Sequence, residues 1–97
     1  MKYTNFQQIQ FDAHKTETGY GKYARIPFEN GYTLSVVQVF DEVYGNSHGA
    51  DEGFYEAALL KHGEMCYDTH ITGFGKKVIG FLSESDVEKL IEEVDRL

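Results

Sequence analysis

Ser83-Glu84-Ser85-Asp86-Val87-Glu88-Lys89-Leu90-Ile91-Glu92-Glu93-Val94-Asp95-Arg96-Leu97 ends the sequence and reads as one capped amphipathic helix. Val87, Leu90, Ile91, Val94 and Leu97 fall on one stripe of a helix with about 3.6 residues per turn. Ser83, followed at the third position by Asp86, has the form of a capping box, with Asp in place of the longer Glu or Gln. The outward face carries Glu84, Glu88, Glu92, Glu93 and Asp95 against Lys89 and Arg96. An acidic helix must therefore lay its apolar stripe on whatever precedes it.

What precedes it reads as strands. Residues 6–11 form a short candidate with Ile9 and Phe11 on one face, and residues 15–21 read as a polar, glycine-bearing loop. From Lys22 to Phe28 the pattern alternates, with Ala24, Ile26 and Phe28 inward; Pro27, the only proline, fits an edge or a strand end because it cannot donate to a ladder. Asn30-Gly31 is the strongest turn signal and predicts a two-residue type I′ hairpin. It leads into residues 32–40, the expected central strand, with Leu34 and Val36 sharing a face.

Residues 41–53 read as a glycine-bearing loop, of a length that is more often functional than incidental. Residues 54–60 have helical propensity in Glu56, Ala57, Ala58, Leu59 and Leu60. Their short length and the turn signal behind them favour a strand, paired with residues 65–71 across a four-residue connection, Lys61-His62-Gly63-Glu64. Residues 72–77 are a loop and residues 78–82 a last strand. The sum is an α+β domain: an antiparallel sheet of four or five strands with one C-terminal helix on one face.

At 97 residues the chain is one domain, residues 1–97, with room for a single core. Its 7 tyrosines and 7 phenylalanines and 41% hydrophobic content argue for a folded globule. No apolar run approaches the roughly 18 residues of a membrane span. The first residues lack the apolar stretch of a secretion signal, and the single cysteine, Cys66, fits a reducing compartment, so a cytoplasmic location is expected.

The net charge is −7, from 16 acidic and 9 basic residues, which disfavours a grip on a phosphate backbone. Eleven of the 16 acids stand in two groups, Asp41, Glu42, Asp51, Glu52 and Glu56, then the six of the terminal helix. Such grouping suits a charge-steered contact with a basic protein surface, although acidity by itself also serves solubility. Tyrosine suits interfaces because it buries a large area while its hydroxyl stays hydrogen-bonded. Tyr44, inside the acidic loop, is the tyrosine expected to be exposed.

The remaining chemistry is thin. Cys66, Asp68 and His70 alternate, so a strand would put them on one face, as a zinc site or a thiol nucleophile with its base would need. No CxxC or HxxxH accompanies them, and an ordinary strand face explains them as well. Gly73-Phe74-Gly75-Lys76-Lys77 lacks the GxxxxGK[ST] of a phosphate loop. No cofactor is expected.

Four segments carry a resemblance: Asn30-Gly31-Tyr32-Thr33-Leu34-Ser35-Val36-Val37, residues 52–60, Tyr67-Asp68-Thr69-His70-Ile71-Thr72, and Val78-Ile79-Gly80-Phe81-Leu82-Ser83. The chain resembles a family of short phage and prophage proteins in which NGY-SVV, YE-AVL and YDTPIT-DVIGYLTEEEV segments precede an acidic helix. It departs from them at His70, where the family has proline, and at residues 73–77. The resemblance implies a phage context, in which small acidic proteins often inhibit host machinery, as anti-CRISPR proteins do when they occlude or imitate nucleic acid.

The resulting expectation is a non-enzymatic inhibitor in the host cytoplasm, binding a host protein with a basic surface and no nucleic acid or membrane. Its expected contact residues are Asp41, Glu42, Tyr44, Asp51 and Glu52 of the loop, then Glu88, Glu92 and Glu93 of the helix. The competing expectations are a self-associating accessory protein, a homodimer joined through a strand edge, and a small metalloprotein or thiol enzyme built on Cys66, Asp68 and His70.

Overall fold

A computed structural model describes residues 6–65 and 78–97. Among these residues six strands form one antiparallel sheet: β1 (Asp12–Lys15), β2 (Gly19–Pro27), β3 (Tyr32–Asp41), β4 (Tyr55–Lys61), β5 (Glu64–Met65) and β6 (Ile79–Leu82). The order is β1-β2-β3-β4, and the far edge of β4 is divided between two short strands. β5 pairs with Leu60 and Lys61, and β6 with Tyr55 and Ala57. The sheet is thus five strands wide, with one helix, α1 (Glu84–Asp95), on one face. It is the α+β domain that the periodicities predict.

Register explains the core. Ala24, Val36 and Ala57 align across β2, β3 and β4, as do Ile26, Leu34 and Leu59. Their side chains therefore stand on one face, and all six are at most 2% exposed. Val87, Leu90, Ile91 and Val94 of α1 meet them, joined by Phe6, Ile9, Tyr55 and Leu82. Burying each large aliphatic group stabilises the domain by about 1.5–3 kcal/mol. The capping box forms in full: the Asp86 N–H donates to Ser83 Oγ at 3.1 Å and the Ser83 N–H to Asp86 Oδ2 at 3.0 Å.

Four local expectations need correction. Residues 6–11 are not a strand: Phe6–Gln8 is a 3-10 turn that buries Phe6 and Ile9, three residues apart, on one side. The loop expected over residues 15–21 shrinks to residues 16–18, because β1 pairs with β2 in a register that sets Lys15 opposite Tyr20. Gly19 is there for proximity, and Gly21 for proximity together with a positive φ of 154. A Cβ on Gly21 would stand 2.2 Å from the Gln38 carbonyl oxygen.

The third and fourth corrections exchange two turns. Only Gly31 of the Asn30-Gly31 pair has positive φ. The Gly31 N–H donates to the Phe28 carbonyl and the Phe28 N–H to the Tyr32 carbonyl, which makes a three-residue turn ending in a glycine bulge. The type I′ geometry occurs instead at His62 (φ 52) and Gly63 (φ 84), so that connection is two residues, not four. Pro27 closes β2 at a strand end. Most of the strand expected over residues 65–71, and the loop over 72–77, lie outside the described residues.

Candidate acidic and aromatic interface

β2 begins and β3 ends at the same end of the sheet, since Gly19 pairs with Asp41. The β1–β2 turn and the long β3–β4 loop therefore meet there. Asp41 organises the junction. Its Oδ1 accepts from Thr18 Oγ1 at 2.9 Å, the Val43 N–H at 2.8 Å and the Tyr44 N–H at 2.9 Å. The Tyr44 and Val43 amides, in that order, hold the Asp41 carboxyl below its ordinary value, with smaller help from Thr18 and His14. The Asp41 N–H donates to Asn46 Oδ1 at 2.9 Å, and Asn46 Nδ2 donates to Asp51 Oδ1 at 2.6 Å. Ser47 ties the returning chain to β3 through Val39. Gly49 and Gly53, both left-handed, bracket a 3-10 turn over Ala50–Glu52.

The loop is thus a hydrogen-bonded platform, and the residues it presents differ in what they offer. Asp41 and Asp51 are engaged in holding its shape. Glu42 and Glu52 are exposed, and Tyr44 is 87% exposed, as expected for the tyrosine of this loop. Glu56, counted with this group in the sequence, turns instead to His48, whose Nδ1 lies 2.5 Å from its Oε1. Among the described residues no Lys or Arg forms an ion pair with Glu42, Asp51 or Glu52.

The helix acids form a separate surface. Glu88 accepts the Phe6 N–H at 2.6 Å, so its carboxylate fastens the N-terminal turn onto α1. Glu92 and Glu93 are exposed, with Arg96 4.0 Å from Glu92. Asn30 donates from Nδ2 to the carbonyls of Val94 and Leu97, which places the end of α1 beside the β2–β3 turn. That turn and the β3–β4 loop are separated by the ten residues of β3, about 33 Å at roughly 3.3 Å per residue. Glu92 and Glu93, in the last turns of α1, therefore lie toward the end of the molecule opposite the loop, while Glu88 stands in the first half of the helix.

Three groups of this surface are not evident in the sequence. The rings of Tyr20 and Phe40, paired across β2 and β3, stack at 5.2 Å and 19°, and Tyr20 is 64% exposed. Beside them Thr16 and Thr18 shape the β1–β2 turn: Thr16 Oγ1 accepts from the Thr18 and Gly19 amides, and the Glu42 N–H donates to the Thr18 carbonyl. An open cleft of about 630 Å³ lies between turn and loop, with Lys15, Glu17, Tyr20, Phe40, Asp41 and Glu42 in its walls. Cross-strand pairing would have shown Tyr20 against Phe40 had Gly19 and Gly21 been read as strand.

Cys66, Asp68 and His70 lie outside the described residues. Among the described residues no group of three or more His, Cys, Asp or Glu is placed to hold a metal ion. Among them, too, no helix is long and apolar enough to cross a membrane. No family model matches the chain, no curated protein matches it, and no solved structure matches it.

Proposed function

We propose that the protein is a non-enzymatic, phage-borne inhibitor that binds a basic surface of a host defence or nucleic-acid-handling complex in the cytoplasm, in the manner of an anti-CRISPR protein. The observation that carries this reading is the β3–β4 loop, which holds Glu42, Tyr44 and Glu52 outward on a fixed frame without cationic partners among the described residues. Carboxylates held in place compete for Lys and Arg groups that would otherwise grip phosphates. An exposed tyrosine, with two side-chain torsions to fix, adds contact area at modest entropic cost. The phage context and the class of target rest on the resemblance alone.

The opposed positions of the loop and the helix acids refine the reading. One flat partner surface would engage the loop end, with Glu92 and Glu93 outside the contact. The deciding experiment is capture from phage-bearing host cells with the wild type and with Glu42→Lys/Glu52→Lys. The expected result is a nucleic-acid-binding partner held in a salt-sensitive complex and lost by the double variant. Retention of the same partner by the variant, at unchanged salt sensitivity, refutes it.

Self-association through β1 is the second reading. β1 is an edge strand, and an antiparallel two-fold pairing centred between Ala13 and His14 would set Asp12 opposite Lys15 of the other copy. Its four residues make a short edge, of the kind that discourages such pairing. Sedimentation at high concentration tests it, since this reading demands a concentration-dependent dimer.

A further inference from the structure

We infer that the cleft between the β1–β2 turn and the β3–β4 loop receives an arginine side chain of the partner, its guanidinium lying on the exposed Tyr20 ring and paired with Glu17 or Glu42. The inference rests on the binding role proposed above and adds to it the residue type recognised and the place of recognition.

Tyr20 is the centre of the argument. An exposed tyrosine ordinarily samples several rotamers, but here Phe40, its cross-strand neighbour, stacks beside it at 5.2 Å. Phe40 covers one face of the ring while 64% of the residue stays open to solvent. A fixed π-face attracts cations, and a planar guanidinium stacks on it better than a compact ammonium does. The surroundings supply the charge. Glu17 and Glu42 are both exposed in the cleft walls, and Asp41 adds a third carboxylate, against one cation, Lys15.

The frame is also preorganised. Thr18 Oγ1 bridges the turn to Asp41 at 2.9 Å, and the Glu42 N–H donates to the Thr18 carbonyl at 3.0 Å. Gly19 lets the two backbones meet at the base, where a Cβ would fall 2.5 Å from the Phe40 carbonyl oxygen. A stacked aromatic face could equally attract a nucleobase, but three carboxylates around it oppose the phosphate that a base brings with it. The net negative wall selects the cation.

The test titrates the whole 15N-labelled protein with acetyl-Gly-Arg-Gly-amide, and separately with the lysine and citrulline counterparts and with a short oligothymidine. The expected result is saturable shifts at the amides of Glu17, Gly19, Tyr20 and Phe40 with the arginine peptide. Binding of the lysine peptide should be about five- to tenfold weaker, with no saturation by citrulline or oligothymidine. Tyr20→Ala should weaken arginine binding by about the same factor while Tyr20→Phe preserves it, which separates loss of the ring from loss of the fold.

Absence of saturable shifts, shifts confined to other amides, equal response to citrulline, or oligothymidine binding on the same amides overturns the inference. Failure of this inference is distinguishable from failure of the binding role. A captured partner that depends on Glu42 and Glu52 but is indifferent to Tyr20→Ala removes the arginine cleft alone. Arginine binding without any loop-dependent partner removes the inhibitor reading and leaves the cleft.

Discussion

Asn30 is the residue on which a single substitution should be most informative, because it couples a turn to a helix end 64 residues away. Its Oδ1 accepts the Tyr32 N–H at 3.1 Å, while Nδ2 donates to the Val94 carbonyl at 2.8 Å and the Leu97 carbonyl at 3.3 Å. The amide orientation follows from the partners, since an N–H requires the oxygen and a carbonyl requires the nitrogen. Among the described residues the positive-φ residues other than glycine are His62 and Phe81, so alanine fits the backbone at position 30. Asn30→Ala therefore removes hydrogen bonds without adding strain.

The Leu97 bond is exposed and contributes little. The other two are partly buried, at about 0.5–1.5 kcal/mol each, and the Val94 carbonyl keeps the Leu97 N–H, 3.1 Å away, as a partner when Asn30 is removed. A loss of about 1–2 kcal/mol follows, which lowers the melting temperature by roughly 4–16 °C in a domain of this size. Asn30→Asp sharpens the test. It keeps the acceptor for Tyr32 but turns a carboxylate toward the Val94 carbonyl and the negative end of the helix dipole. It should be at least as destabilising as Ala at neutral pH and recover partly when the aspartate is protonated. Thermal and urea unfolding followed by circular dichroism read both variants. A fall of less than about 3 °C for Asn30→Ala, or wild-type stability for Asn30→Asp at pH 7, would show that the turn does not hold the helix.

Removing the Ser83 hydroxyl with Ser83→Ala should cost about 1 kcal/mol in urea unfolding. The Ser83 N–H and then its hydroxyl hold the Asp86 carboxyl below the ordinary 3.8, so the stability that this carboxylate adds is complete above that pH and fades as pH falls through the lower folded value. Ser83→Ala keeps the N–H and removes only the smaller hold, so it should flatten the stability profile only in part on the acid side of about pH 4, which a urea series at several pH values will reveal. Gly21→Ala forces a left-handed φ of 154 on a residue with a side chain and drives a Cβ into the Gln38 carbonyl. A loss of roughly 1–3 kcal/mol is expected by thermal melt, and wild-type stability would place the β2–β3 register elsewhere. Glu88→Ala leaves the Phe6 amide without its acceptor and should speed hydrogen exchange across residues 6–11 well before the sheet opens. In binding, Glu42→Lys/Glu52→Lys should slow association with the captured partner more than it hastens dissociation, read by surface plasmon resonance at two salt concentrations.

The fold was legible where periodicity alone decides it. The α1 stripe, the alternation in β2 and β3 and the choice of strand for residues 54–60 all depend on side chains facing one core, and local pattern reports that directly. The turns were less legible because glycine has two meanings. Gly31 supplies a left-handed bulge and Gly63 a type I′ turn, whereas Gly19 and Gly21 are strand residues squeezed against β3. Only the pairing of distant segments tells these cases apart. The site suffered for the same reason. Reading residues 15–21 as a loop hid the Tyr20–Phe40 stack, and no local pattern marks Asp41 as an internal clamp, or Glu88 as a fastener, rather than as displayed charge.

His62 and Asn30 give the other end of the molecule a different character. The His62 N–H donates to the Gly31 carbonyl, and Lys61 Nζ lies 5.0 Å from the Tyr32 ring centre, while Asn30 grips the end of α1. Two chain reversals and a helix terminus are thereby knotted at one pole, leaving the opposite pole to vary. Foreign recognition segments grafted between residues 42 and 46, short of Ser47 and buried Ala50, would ride on an anchor that their own sequences never touch.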